Sequence, residues 1–343
     1  MTALVLPNRR VEDWKYSDLR NAIDPAAVDA APTALWRVSV SGAMEQNDFP
    51  EIMPYGRHGA MAEIAAAHAE SGVFLRIGKG NEGAALLELT QGGHGRVLIV
   101  VEDGASLMLR ELASVEGFAN LAFDIVLARN ATLSHVREAA GQGEIVRVFD
   151  YSVRVAQGSA YRAHFADFGA KLSRTELHIA LEGEGAQAHL SGVSVLAEGG
   201  HADVTTRIAH AVGNTQSNQL FKIIAGGKSR GVYQGKISVA EGANGSDSRQ
   251  TAKGLLLGDR AEIDLKPELE ILADDVKCAH GAAIGDLDSE SLFYLRSRGV
   301  PEAEARALLM RAFLEDAVAE ISNDDIRAAV WTRVEAALQE LSA

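Results

Sequence analysis

The chain has 343 residues, 47% hydrophobic and 23% charged, the balance of a folded globular protein. That length suggests about two domains or one long repetitive one. With 33 Lys and Arg against 47 Asp and Glu the net charge is −14, which argues against nucleic acid and anionic membrane surfaces as main partners. The single cysteine excludes an internal disulfide and suits a reducing compartment. In MTALVLPNRR the apolar residues precede the arginines, the reverse of a signal peptide, and no apolar run reaches the roughly 18 residues of a membrane span. The expected localisation is cytoplasmic.

Residues 1–70 read as a helical or irregular segment, with a polar and aromatic stretch at Arg9–Leu19 (RRVEDWKYSDL) and a helix-favouring, Ala-rich stretch at Met61–Glu70. From Val73 the texture changes to short strands such as VFLRIG, RVLIVV and SLMLREL. Between Ala186 and Leu196 the alternation of Ala188, Leu190, Gly192, Ser194 and Leu196 with their neighbours has the period of a strand. Thirty-three glycines against seven prolines point to many tight turns, and an aromatic share of 6% leaves small and β-branched residues to fill the interior.

A repeat underlies these strands. A turn residue and then a small one open a strand at Gly104-Ala105, Asn130-Ala131, Gly158-Ser159, Gly185-Ala186, Gly213-Asn214 and Gly242-Ala243, in steps of 26, 28, 27, 28 and 29 residues. A second ladder, half a period away, runs through Gly200-His201, Arg230-Gly231 and Arg260-Ala261. Such a period, with no helical pattern between strands, predicts a right-handed parallel β-helix (solenoid) as an all-β core over residues 71–284. A β-sandwich is the rival, but its turns would recur every 8–12 residues or so.

Residues 285–343 read as a C-terminal helical domain. Asp288 is the expected N-cap, Gly299 the C′ residue, and Pro301 the first residue of the next helix. Leu309, Phe313 and Ala317 form one expected apolar face, with Leu308, Ala312 and Ile321 beside it. Asn323 caps a last helix with Ile326, Val330, Val334, Leu338 and Leu341 at helical spacing. Such a tail caps the strand edges of a solenoid end or offers a docking surface.

Gly226-Gly227-Lys228-Ser229 resembles the end of a phosphate-binding loop, but Lys222 stands where that motif needs glycine and a strand follows, so it reads as a solenoid turn. Cys278 and His280, two places apart, share a face if they lie on a strand, and thiolate with imidazole favours zinc, iron or an iron–sulfur centre. Two ligands do not close a four-coordinate site, so others must come from elsewhere in the chain or from a partner. On spacing alone Cys278 reads first as a small core hydrophobe. A Cys/His nucleophile lacks any accompanying oxyanion-hole signature. His58, His68, His94, His135, His164, His178, His189, His201 and His210 are expected to face solvent from strands. Asp274, Asp275, Asp286, Asp288 and Glu290 are expected to form a solvated rim around the Cys/His strand.

RRVEDWKYSDL resembles the Trp-Lys-Tyr motif of the SufB/SufD family of SUF iron–sulfur assembly subunits. The run from Lys228 to Val300 resembles that family's C-terminal core almost continuously. The single cysteine matches SufD-type chains better than SufB, which is longer and carries a second internal cysteine thought to receive persulfide sulfur. The resemblance implies a β-helix and a non-catalytic scaffold for iron–sulfur cluster assembly. It also implies pairing with a SufB-like scaffold subunit and binding of a SufC-like ABC ATPase through the C-terminal helical domain, where Arg296 and Arg298 lie. A homodimer is possible without SufB. His280 matches the family's interface histidine and Cys278 the motif's cysteine, so both are candidate metal ligands for transient iron or a nascent cluster at the SufB–SufD interface. No cofactor is expected to stay bound to the chain alone. The motif comes early, so the helical extension usual before it is expected to be short or missing. A homodimeric β-helix structural protein and a β-helix polysaccharide-active enzyme are the alternatives.

Overall fold

The structure, a computed structural model, describes residues 5–47, 49, 59–141 and 143–342. A 3-10 turn at Glu12–Trp14 leads into helices α1 (Leu19–Ala22) and α2 (Pro25–Asp29), strands β1 (Leu35–Gly42) and β2 (Met44–Asn47) and helix α3 (Ala60–His68). A run of strands follows: β3 (Val73–Ile77), β4 (Glu82–Gln91), β5 (Gly93–Val101), β6 (Ser106–Ala113), β7 (Phe118–Leu127), β8 (Thr132–Ala140), β9 (Val146–Val155) and β10 (Ala160–Phe168). It continues through β11 (Leu172–Leu181), β12 (Gln187–Leu196), β13 (His201–His210), β14 (Gln216–Ala225), β15 (Arg230–Val239), β16 (Asp247–Leu256), β17 (Glu262–Ile271) and β18 (Lys277–Gly285). Helices α4 (Ser289–Ser297), α5 (Glu302–Ala319) and α6 (Asp324–Ser342) come last.

From β3 onward, odd strands build one sheet and even strands the other, each strand parallel to the one a coil earlier. This is the parallel β-solenoid that the repeat predicts. Strands β1 and β2 lie in the segment expected to be helical or irregular. They pair antiparallel with β4 and β3 and finish the two sheets at the first coil.

The repeat has a backbone cause. Gly104, Asn130, Gly158 and Gly185 adopt φ of +68°, +57°, +68° and +74°, and each N–H donates to a carbonyl in the corresponding turn of the next coil. Ala105, Ala131, Ser159 and Ala186 follow them and are buried, so stacked turns admit only small side chains there. Further on, the expected register is corrected: the left-handed residues that donate to the next coil are Asn214 and Gly245 rather than Gly213 and Gly242, although Gly242 is also left-handed at +77°. The turn from Val239 to Asp247 is longer than the one from Val155 to Ala160, which delays the position. The Gly226–Ser229 segment is a turn between β14 and β15, as read from its missing glycine.

Alternate residues of both sheets meet in the lumen, where Leu107, Phe123, Phe149, Tyr151, Leu177, Leu190 and Tyr233 belong to one core cluster. The outer faces are covered too. Helices α5 and α6 bury Val193, Val195, Ile224 and Leu255, while the N-terminal segment buries Val146, Val148 and Leu172 beneath Leu6, Trp14 and Leu19. Strands covered on both faces lose their polar alternation. That overturns the expectation of solvent-facing histidines: His94, His135, His164 and His210 are at most 2% exposed. His58 lies outside the described residues.

Helix α4 is capped as expected, with the Asp288 side chain accepting from the Ser291 N–H at 2.8 Å, and Gly299 follows it at φ +87°. Pro301 falls one place before α5 rather than inside it. The buried face of α5 is Ala305, Met310, Leu314, Ala317 and Val318, rotated from the expected one, and Leu308 is 46% exposed. Phe313 stays half-buried because it lies over the Lys222 ammonium, 4.9 Å from the ring centroid. In α6, Val330, Val334 and Leu338 are buried as the spacing predicts, and Asn323 accepts from the Ile326 N–H.

Candidate functional site

Strand β18 carries both Cys278 and His280 and pairs only with β16, while β17 pairs only with β15. Among the described residues each sheet therefore ends on an unpaired edge. In earlier coils the lumen-facing positions of the even strands are buried. Ser248 and Gln250, the register partners of Cys278 and His280, are 0% and 1% exposed. Gln250 donates to the Tyr233 hydroxyl at 3.0 Å, and Ser248 and Ser217 share a hydrogen bond at 2.6 Å. Cys278 and His280 occupy the same face one coil later, where the described chain places no further coil over them.

The two residues then differ. Cys278 is half-buried against the small cluster of Ile237, Val239 and Ala243. Burial pushes its thiol above the ordinary value and the Asp247 carboxylate adds to this, with the Ser248 backbone partly opposing. His280 is exposed and makes no hydrogen bond among the described residues. As residues i and i+2 of a strand, their backbones are ~6–7 Å apart. Among the described residues no third His, Cys, Asp or Glu atom closes on the pair. Asp274, Asp275, Asp286, Asp288 and Glu290 are all exposed, and Asp288 serves as the cap of α4. Ile271, Leu272 and Ile284 are 38%, 64% and 46% exposed on the same terminal coil, an apolar surface beside an open edge.

Helix α4 buries no residue, and Phe293 and Tyr294 are 74% and 56% exposed. Arg296 pairs with Glu302 at 3.4 Å and Arg298 lies over the Tyr294 ring, so both expected arginines lie at the α4–α5 corner. The helices are fastened to the solenoid by charge as well as by apolar packing. Glu138, its side chain fully buried, receives Arg110 from β6 and Arg333 from α6, and Lys222 pairs with Asp316 of α5.

The Trp-Lys-Tyr stretch is a clamp across one sheet. Trp14, 2% exposed, lies 4.1 Å from the buried Arg174 guanidinium, and Arg174 donates to the Asp13 carbonyl at 2.6 Å. Ser17 donates to Asp203 at 2.5 Å, Gln234 reaches the Asp13 carbonyl, and Arg230 lies 5.7 Å from the Tyr16 ring. These contacts run from β11 to β15. The aromatic pattern signals the clamp in the sequence, but its buried charged partners are scattered and carry no local signal.

Residues 84–313 match the family described as SUF system FeS cluster assembly, SufBD core domain. The chain is 28% identical over 375 aligned positions to the iron-sulfur cluster assembly protein SufD of Escherichia coli, covering 96% of this chain and 88% of that protein. An iron-sulfur cluster assembly SufBD family protein of Synechocystis is 33% identical over 230 positions, 64% of this chain and 51% of the relative. One from Mycobacterium bovis is 25% identical over 360 positions, 98% of this chain and 90% of the relative. No helix among the described residues is long and apolar enough to cross a membrane. A parallel solenoid ending on an open Cys278–His280 coil, with the family match spanning most of it, makes this chain a SufD-like member of the SufBD family of iron–sulfur cluster assembly scaffolds.

Proposed function

We propose that the chain is a non-catalytic half of a heteromeric scaffold, and that its open solenoid end docks edge to edge against a SufB-like subunit. The observation that carries this reading is the terminal coil itself. Two strand edges unpaired among the described residues, an exposed apolar patch at Ile271, Leu272 and Ile284, and two side chains of metal-ligand type share one surface. Strand addition would satisfy the edge N–H and C=O groups and cover the patch. Cys278 and His280 then supply a soft half-site that the partner's ligands complete around iron or a nascent cluster. The high-lying thiol fits a ligand that loses its proton only when metal binds.

The same reading assigns the exposed α4–α5 corner, with Phe293, Tyr294 and Leu308, to a SufC-like ATPase. On this reading the nucleotide belongs to that subunit, in keeping with the phosphate-loop lookalike Gly226–Ser229 being a strand-to-strand turn.

Co-expression with SufB-like and SufC-like subunits, followed by affinity capture of this chain, tests the reading. A complex containing both, lost on substituting charged residues at Leu272 and Ile284, supports it. A second copy of this chain could cover the same edges, so the isolated chain is measured by light scattering. A homodimer that resists the SufB-like subunit would replace the heteromeric reading.

A further inference from the structure

Away from the terminal coil, the outer face of the odd-numbered sheet carries a second group of metal-ligand types. We propose that Asp150, Glu176 and His178 bind a divalent transition-metal ion without help from a partner. Asp150 on β9 and Glu176 on β11 are direct register partners, and His178 is two residues further along the same face. One ligand atom from each lies within 4.8 Å of the others. Both carboxylates are almost fully buried, at 1% and 3% exposure.

Two observations point to a cation. First, one guanidinium is shared by two buried carboxylates: Arg174 donates from Nε to Glu176 at 2.8 Å and from Nη1 to Asp203 at 2.5 Å. Second, the His178 Nε2 is shut off from solvent and, among the described residues, has no hydrogen-bond partner. It faces the Glu176 Oε2 at 3.7 Å, too long for a hydrogen bond and open enough for an ion between them. The Gly59 N–H donates to Asp150 at 2.7 Å, and a Cβ at Gly59 would stand 2.4 Å from the Glu176 Oε2, so only glycine fits against these carboxylates.

Metal–oxygen and metal–nitrogen bonds of about 2.0–2.2 Å bring neighbouring ligand atoms to roughly 3–3.5 Å, so small side-chain rotations close the triangle. Imidazole with two carboxylates favours Fe(II), Mn(II) or Zn(II) over Mg(II) and Ca(II). His178 also lines a groove of about 800 Å³ on the same sheet. The cations on its rim, Arg154, Arg207 and Lys236, are each paired with an acid, respectively Glu182, Asp13 and Glu270. Strands β13 and β15 separate β11 from the terminal β17, ~14 Å of stacked coils at ~4.8 Å each, so this site and the Cys278–His280 half-site are separate.

The test uses the full chain alone, metal-stripped and anaerobic, titrated with Fe(II), and with Mn(II) as a paramagnetic probe. A background variant carrying Cys278→Ser and His280→Ala removes the interface ligands. The background variant should still bind one ion, and its melting temperature should rise with added ion. Adding His178→Ala should weaken binding at least tenfold and abolish the imidazole-nitrogen coupling in pulsed spectra of bound Mn(II), and His178→Gln should do the same if the alanine variant misfolds. Saturable binding that survives both His178 variants, no binding in the wild-type chain, or binding lost with Cys278 and His280 alone would each overturn the proposal. None of these outcomes depends on whether the SufB-like subunit docks.

Discussion

His280 and Gln250 occupy the same register position on neighbouring strands, yet Gln250 is 1% exposed and bonded to Tyr233 while His280 lies open. The difference is only that one coil has another above it. Gln250→Ala should therefore cost about 1–3 kcal/mol through lost packing and a disturbed buried polar network. His280→Ala should change stability by less than about 0.5 kcal/mol. Denaturant unfolding of the isolated variants checks both. In the assembled scaffold the ranking should invert, with His280→Ala impairing cluster yield. A destabilised His280→Ala variant would mean that the histidine is part of the fold rather than of an interface.

Cys278 should react slowly. Its thiol is pushed up by burial and by Asp247, so the thiolate fraction near neutral pH is smaller than for a free cysteine. The pH profile of alkylation by iodoacetamide in the isolated chain should have its midpoint above that of free cysteine. Fe(II) with a SufB-like partner present should protect the residue, since a ligating thiol gives up its proton to the metal. A midpoint below that of free cysteine would contradict the half-buried environment.

Much of this molecule is legible in its sequence, because the solenoid repeats one local requirement. A left-handed turn residue and then a small buried one recur at Gly104, Asn130, Gly158 and Gly185, and that spacing alone predicts stacked coils. The candidate ligands are legible for the same local reason, two residues apart on a strand. What stays hidden is set by contacts distant in the chain. His164 looks like any strand histidine, but α5 covers it, and the α5 face is rotated because Lys222 from β14 holds Phe313 and Asp316. Strands β1 and β2 fall outside the solenoid repeat, and they form strands because the first coil offers them edges. The Asp150–Glu176–His178 group joins residues of two strands through their register, which no spacing rule reveals.

Buried histidines make the chain sensitive to mild acid. Burial pulls His201 and His210 down to about 4 and His164 to about 3, against an ordinary 6.5. Below pH ~6.5 the unfolded chain takes up protons that the folded one refuses, so stability is intact above that pH and falls as pH drops from ~6.5 towards 3. Thermal melts across this range should show a progressive loss, before most carboxylates protonate. Replacing His210 with Gln, which can still bond Thr215 and Ser217, should flatten the upper part of the curve. A melting temperature unchanged between pH 7 and 5 would show that these rings accept protons while folded.

Removing residues 301–343 is the obvious test of ATPase docking, but it would fail for a reason unrelated to docking. The deletion uncovers Val193, Val195, Ile224 and Leu255 and strips Glu138 of Arg333, so the solenoid should aggregate. Surface changes avoid this. Phe293→Ser with Leu308→Ser alters side chains that are 74% and 46% exposed, so the variant should fold with a melting temperature within a few degrees of wild type. If the α4–α5 corner binds the ATPase, the paired change should weaken capture of that subunit at least tenfold while leaving SufB-like pairing intact, because the terminal strands are untouched. Glu138→Gln is the complementary control. It should loosen the helices from the solenoid, at about 1–3 kcal/mol given that both arginines keep some access to water, and accelerate proteolysis within α6. Normal ATPase capture by the Phe293/Leu308 variant would move the docking site off this corner.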